Sequence, residues 1–131
     1  MKKFTVLLVL SISILFIACP TKTTVQTAKQ LDITKPDGLY REGQNYLKQK
    51  NYDFALRDFT TLIEDFSEDT LADDAQFMIA EILSNPKNPN VDLQSAVDEY
   101  QNLIDNYPDS QYIDKANKKI EQLEKKLDGS K

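Results

Sequence analysis

Few side chains in this sequence are suited to catalysis. Cysteine occurs once among 131 residues, at Cys19, and histidine is absent. Without histidine the chain lacks the general base of Ser-His-Asp and Cys-His triads and the commonest ligand of zinc and haem. A single cysteine excludes an intrachain disulfide and a cysteine-based metal cluster. Most enzyme classes are therefore excluded, and no cofactor or metal is expected.

Carboxylates are the remaining reactive groups, and they are densest between residues 64 and 74. The acids there are Glu64, Asp65, Glu68, Asp69, Asp73 and Asp74. Paired carboxylates can hydrolyse glycosides, and clustered ones can bind calcium. However, the spacing and the glycine of a calcium loop are missing, and acids are favourable near the start of a helix. We interpret the group as a solvated helix end rather than a calcium site. For the chain as a whole, carboxylate pairs leave a glycosidase as the enzymatic alternative, but the acids are expected on solvated helix faces and no concave pocket is implied.

The net charge is −5 and is unevenly distributed. Residues 36–109 hold 16 acids against 5 bases, whereas residues 110–131 hold 6 bases against 4 acids. This balance argues against nucleic acid as a partner. An acidic body instead favours attraction of basic partners at long range.

The N-terminus has the pattern of an export signal. Lys2 and Lys3 precede an apolar run from Phe4 to Ala18, which is short for a membrane span. The residues that follow resemble a bacterial lipobox, in which a small residue precedes cysteine, although Phe16 departs from the preferred Leu or Val. The resemblance implies a signal peptide over residues 1–18 and attachment of fatty acyl chains such as palmitate to Cys19. An uncleaved anchor helix is the alternative.

A flexible tether is predicted after this cysteine. Residues 20–35 are rich in Thr, Lys and Gln, lack an apolar periodicity and carry a net charge of +2. The predicted organisation is a signal peptide over 1–18, a lipidated cysteine and tether over 19–35, and one helical domain over 36–131.

The domain contains an internal repeat with a period of 41 residues. In this register Ala55 matches Ala96, and Phe59 matches Tyr100. The register holds without a gap from Tyr52 to Ile120. Repeats of this length are typical of helical solenoids.

Apolar residues within each repeat recur every three or four positions, which predicts amphipathic helices. Five helices are expected, over about 36–49, 52–66, 70–83, 91–107 and 110–127. Asn51, Asn90 and Ser110 are predicted N-caps, Pro36 is expected near the first helical position, and Gly129 is expected to end the last helix. No segment has a strand pattern.

The spacing of the repeat resembles the tetratricopeptide repeat. The first copy shows it at Gly43, Tyr46, Ala55, Phe59 and Leu62, and the second at Ala80, Leu83, Ala96, Tyr100, Leu103 and Pro108. The resemblance implies an all-α solenoid of about 2.5 repeats, built from helical hairpins, with the fifth helix as its cap.

A narrower resemblance is to the BamD family of outer-membrane assembly lipoproteins. It is carried by the lipobox and by segments such as 75–82 and 107–110. It implies a lipid-anchored protein of the outer membrane that faces the periplasm and binds β-barrel assembly subunits or unfolded barrel substrates. The family typically has about five repeats, so the half associated with docking to the barrel subunit has no counterpart here.

Tetratricopeptide repeats bind peptides along the groove lined by the first helix of each hairpin. By position, that groove contains Asp37, Tyr40, Gln44, Lys48, Asp74, Phe77, Met78, Glu81, Lys115, Lys118, Gln122 and Lys125. The residues selected as the partner-binding groove are Tyr40, Gln44, Lys48, Phe77, Glu81 and Lys118. For Tyr40, Phe77 and Met78 the alternative is burial between hairpins. Phe54 lies off its helix's apolar stripe, and its role is left open.

These features together predict a non-catalytic, membrane-anchored adaptor that binds proteins of the cell envelope. A role like that of BamD in outer-membrane β-barrel assembly is preferred. The alternative is a pilotin-like or envelope-organising repeat lipoprotein that acts on a secretin or on the cell-wall machinery. A structural tether without a dedicated partner is a further alternative.

Overall fold

The computed structural model describes residues 34–129, which form five α-helices. They are α1 (Pro36–Lys48), α2 (Tyr52–Asp65), α3 (Ala72–Leu83), α4 (Leu93–Asn106) and α5 (Ile113–Asp128). No strand occurs among the described residues. The predicted all-α fold and its five helices are confirmed. The predicted signal peptide, Cys19 and the tether as far as residue 33 lie outside the described residues.

Each helix packs mainly against its neighbours along the chain. The main contacts are between α1 and α2, α2 and α3, α3 and α4, and α4 and α5. Short connections make these neighbours antiparallel, so the helices form stacked hairpins. We call α1, α3 and α5 the A helices and α2 and α4 the B helices.

The first part of the core lies between α1, α2 and α3. Ala55, Phe59 and Leu62 are fully buried on one side of α2. Gly43 of α1 faces the ring of Phe59, and a Cβ atom built at Gly43 would lie 2.9 Å from two ring carbons. The glycine therefore lets the aromatic ring fill the space between the two helices.

The second part of the core repeats this arrangement between α3, α4 and α5. Ala80, Ala96 and Tyr100 are fully buried, as is Ala116 of α5. A polar link crosses the hairpin, where the buried Gln76 donates from Nε2 to Glu99 Oε2 at 2.6 Å. Because a buried amide needs a partner, this bond fixes how α3 lies against α4.

The first turn of α4 differs from the prediction. Asp92, not Asn90, is the N-cap, and its Oδ1 accepts from the Ser95 N–H at 3.0 Å. Asn90 instead donates from Nδ2 to Asp53 Oδ1 at 3.2 Å. The buried Asn88 donates from Nδ2 to the Ile82 carbonyl and accepts from the Asn90 N–H. Asparagine and aspartate both suit caps and turns, so the sequence did not distinguish their roles in this loop.

Other helix ends agree with the prediction only in part. Pro36 is the first residue of α1, and Gly129 follows α5, as expected. Asn51 is the N-cap of α2 by position, but its side chain makes no capping hydrogen bond. Ser110 lies three residues before α5 begins, and its Oγ accepts from the Tyr112 N–H in the preceding turn. Helix α3 begins at Ala72 rather than residue 70 because a turn closes first, from the Ala72 N–H to the Asp69 carbonyl.

Candidate protein-binding surface

The N-terminal ends of the three A helices lie side by side. The Tyr112 hydroxyl donates to Asp74 Oδ1 at 2.5 Å and so joins the start of α5 to α3. Tyr40 of α1 lies close enough to Asp74 that, together with burial, this carboxylate raises the pKa of the tyrosine. Gln44 lies one turn further along α1, and its side chain acts in the opposite direction and lowers the pKa of Tyr40. The starts of the three A helices are therefore close together at this end.

Phe77 belongs to the core rather than to an open groove. Only 4% of its surface is exposed. Its ring stacks on Tyr112 with centroids 4.3 Å apart and planes 10° apart, and the Tyr100 ring lies 5.7 Å away. Lys115 Nζ lies 4.3 Å from the centroid of the Phe77 ring. The assignment of Phe77 to the partner-binding groove is corrected, because these aromatic neighbours cover it.

Glu81 is held by neighbours from two other helices. Its Oε1 accepts from the Tyr100 hydroxyl at 2.5 Å and pairs with Lys119 Nζ at 2.8 Å. Burial alone raises the pKa of Glu81, but the bonds from Lys119 and Tyr100 outweigh it and hold the pKa below its usual value. The same contact and burial raise the pKa of Tyr100. Glu81 therefore connects α3 to α4 and α5. It also lies on the side of the molecule that the A helices form.

The other predicted groove residues are accessible to different degrees. Lys48 and Lys118 are exposed, whereas Tyr40 and Gln44 are half-buried. The Tyr40 ring packs 5.5 Å from Phe59 and keeps part of its surface accessible. Met78 is also half-buried and packs against the first part of the core. We define the A-helix face as Tyr40, Gln44, Lys48, Glu81 and Lys118.

An open cleft lies beside this face, between the α2–α3 and α4–α5 loops. Its volume is about 490 Å³. The lining residues are Ser67, Glu68, Asp69, Thr70, Asp73, Asn106, Tyr107, Pro108, Asp109 and Ser110. They include four carboxylates and no basic side chain. We call this the acidic cleft.

The carboxylates of the acidic cleft are only partly satisfied by the protein. Asp73 Oδ2 accepts from the Ser110 hydroxyl at 2.7 Å, and Asp69 Oδ1 accepts from the Leu71 N–H at 2.9 Å. Burial, Asp73 and Glu68 together raise the pKa of Tyr107. This field favours a positively charged group in the cleft.

The sequence pattern did not reveal the cleft as a site. Three of its acids belong to the group between residues 64 and 74, which was interpreted as a solvated helix end. Asp109 joins them only because the α2–α3 and α4–α5 loops meet. The repeat could nevertheless have indicated that these loops lie together, since both loops follow equivalent positions of the 41-residue repeat.

The described residues show neither a metal centre nor a membrane-spanning helix. Nowhere between residues 34 and 129 do three or more acidic or other metal-ligating side chains gather in a way that would hold an ion. Within the same range, every helix is too short or too polar to cross a bilayer.

Comparison with known proteins identifies the second hairpin. Residues 74–110 match the tetratricopeptide repeat family. The matched segment contains most of α3, all of α4 and the loop that carries Pro108. No curated protein and no solved structure matches the chain. The chain therefore contains a tetratricopeptide repeat, a module that typically binds other proteins and is not catalytic.

Proposed function

We propose that the chain is a non-catalytic adaptor, anchored to the outer membrane through Cys19, that binds envelope proteins and acts like BamD in β-barrel assembly. The observation that carries the binding role is the acidic cleft next to the A-helix face. The A-helix face provides a polar, partly aromatic surface, and the acidic cleft provides a recess for a basic side chain. A segment of a partner that carries Lys or Arg beside apolar residues fits this combination.

Anchoring is tested by replacing Cys19 with serine in the full chain expressed in bacteria. The expected result is that the native chain incorporates palmitate and loses residues 1–18, whereas Cys19→Ser incorporates no palmitate and retains them. A native chain that retains residues 1–18 and incorporates no palmitate would instead support the uncleaved anchor helix.

Partner identity is tested by crosslinking in native envelopes, purification of the full chain and mass spectrometry. The expected partner is a subunit of the β-barrel assembly machinery or an unfolded barrel substrate. Recovery of a secretin or of cell-wall enzymes would favour the pilotin-like or envelope-organising alternative. No recovery of any envelope protein would contradict the adaptor function.

The role of the acidic cleft is tested in the same experiment with a neutralised variant. Glu68→Gln, Asp69→Asn and Asp109→Asn together remove three charges from the lining. Asp98→Asn, Glu121→Gln and Glu124→Gln provide the matched control, because they remove three charges from surfaces outside the cleft. Partner recovery should fall in the cleft variant alone. Equal recovery from both variants would contradict the assignment of the cleft.

A further inference from the structure

One end of the molecule exposes apolar side chains. We call it the hairpin end; it is formed by the α1–α2 turn and the α3–α4 loop. Among the described residues, the large hydrophobic side chains that are exposed are Phe54 and Val91, each at 45%. Phe54 is near the start of α2, and Val91 is in the α3–α4 loop. The hydrogen bond from Asn90 to Asp53 joins that loop to α2, so both apolar side chains lie at this end.

Phe54 is part of a surface stack with a tyrosine and an arginine. Its ring lies 5.2 Å from that of Tyr46, with planes 26° apart. The Arg57 guanidinium carbon lies 5.0 Å from the centroid of the Phe54 ring and 5.9 Å from that of Tyr46. Arg57 keeps 56% of its side chain exposed. The Arg57 guanidinium also pairs with Asp58 Oδ1 at 2.8 Å, so its charge is balanced within the protein. Apolar rings next to a long basic side chain suit the boundary between lipid and water.

The two ends of the molecule differ strongly in charge. Residues 46–58 and 84–92, at the hairpin end, hold four bases and three acids. The bases are Lys48, Lys50, Arg57 and Lys87. At the opposite end, which we call the acidic end, residues 64–74 and 105–114 hold nine acids and no base. The net charge of these residues is therefore +1 at the hairpin end and −9 at the opposite end, so an anionic surface repels the end with the acidic cleft and favours contact with the hairpin end.

We propose that the hairpin end rests on an anionic lipid bilayer, with Phe54 and Val91 in the headgroup region. Lys50 and Lys87 lie over the lipid phosphates. The inference rests on the proposed anchoring at Cys19 to bring the molecule to the membrane. In this orientation the acidic cleft points away from the bilayer and stays accessible to a protein partner.

The length of the tether permits this orientation. The chain enters α1 at Pro36, which lies at the acidic end because Tyr40 is close to Asp74. Helix α1 has 13 residues and is therefore about 20 Å long. The sixteen residues of 20–35 span at most about 55 Å when fully extended. This maximum length exceeds that of α1, so attachment at Cys19 is compatible with contact between the opposite end and the lipid.

The absence of tryptophan from the sequence allows a direct test with single fluorescent reporters. The full chain carrying Phe54→Trp is reconstituted into vesicles of phosphatidylcholine and phosphatidylglycerol, with or without brominated acyl chains. Gln111→Trp is the matched control, since Gln111 is exposed in the α4–α5 loop at the acidic end. Flotation reports whether the chain is anchored, and circular dichroism reports whether each variant is folded.

The expected result is that the emission of Phe54→Trp shifts to shorter wavelength and is quenched by brominated lipid, whereas that of Gln111→Trp is unchanged. The quenching should be lost in vesicles of phosphatidylcholine alone and when Lys50→Glu and Lys87→Glu are added. Two outcomes would overturn the orientation and leave the anchoring intact. In both the chain floats, and either the two reporters are quenched equally or Phe54→Trp is not quenched. If the chain does not float, both the anchoring and the orientation are overturned.

Discussion

At the scale of single residues, Gly43 has the most restricted position in the first hairpin. Its α-carbon faces the fully buried ring of Phe59, and no space remains for a methyl group. The second hairpin has the fully buried Ala80 at the corresponding position of the tetratricopeptide spacing. The requirement for glycine therefore follows from the packing of Phe59 and not from backbone conformation.

We expect Gly43→Ala to lower the free energy of unfolding by about 1–3 kcal/mol, because the added methyl group must displace a packed aromatic ring. The intrinsic helix propensity of alanine acts in the opposite direction, by about 1 kcal/mol, and is the smaller effect. Chemical denaturation measures the difference. Arg41→Ala, at an exposed position of the same helix, is the control and should have little effect. An unchanged or increased stability of Gly43→Ala would contradict the packing described for this hairpin.

Phe77 and Tyr40 should respond differently to truncation, although the sequence assigned both to one groove. Phe77→Ala removes a ring stacked in the core and should destabilise the fold by about 3–5 kcal/mol. Tyr40→Ala removes a half-buried ring and should cost less stability while weakening partner capture. Thermal unfolding and partner recovery, measured on both variants, separate the two roles. Equal destabilisation by the two variants would contradict the distinction.

Glu81 should make stability depend on pH. Its pKa is lowered in the folded protein relative to the ordinary value of 4.5. The carboxylate therefore stabilises the fold above about pH 4.5, and this contribution is lost as the pH falls through the lower pKa of the folded state. Glu81→Gln should reduce the loss of stability between about pH 5 and pH 3. Denaturation curves across this range provide the measurement, with Glu124→Gln on exposed α5 surface as the control. The same pH profile for Glu81→Gln and the native chain would exclude this role.

At the scale of the helices, the apolar periodicity predicted every element, since residues that recur at three and four positions form the buried faces. Ala55, Phe59 and Leu62 were identified in this way and are fully buried. The periodicity did not determine the helix starts, because Asn88, Asn90 and Asp92 all suit caps and their roles depend on how the loop closes. It also did not distinguish core from groove at Phe77, because that choice depends on where Tyr112 of the next hairpin lies.

The second hairpin provides a test of helix packing at Ala96. This residue is fully buried where α4 meets α3, and its counterpart in the first hairpin is Ala55. Ala96→Leu should lower the free energy of unfolding by about 1–3 kcal/mol through overpacking. Gln101→Leu, on the exposed side of α4, is the control. Similar unfolding of the two variants would contradict the equivalence of the hairpins.

At the scale of the whole molecule, the concentration of acids at one end sets the electrostatic field. The sequence showed the excess of acids, but the position of Asp109 beside Glu68 and Asp69 follows only from the stacking of the two hairpins. The acidic cleft was for this reason not predictable from local patterns. The difference in charge between the hairpin end and the acidic end likewise depends on which loops the fold brings together at each end.

Added salt should stabilise the fold, because it screens repulsion among the nine acids at the acidic end. The exposed ion pairs on the surface weaken at the same time, but each contributes little. The melting temperature is therefore expected to rise between low ionic strength and physiological salt. The triple variant Glu68→Gln, Asp69→Asn and Asp109→Asn should show a smaller rise. A melting temperature that falls with salt in the native chain would show that attractive pairs dominate.

The stacking of each helix on its neighbours also determines how the domain transmits tension. Within the described residues, α1 packs mainly against α2, and the chain enters the domain at Pro36. A force applied at Pro36 would peel α1 from Phe59 first, because α1 packs mainly against α2. The domain would then unfold in steps, as is expected when each repeat contacts only its neighbours. The hairpin of α3 and α4 would remain folded while the hairpin of α1 and α2 unfolds.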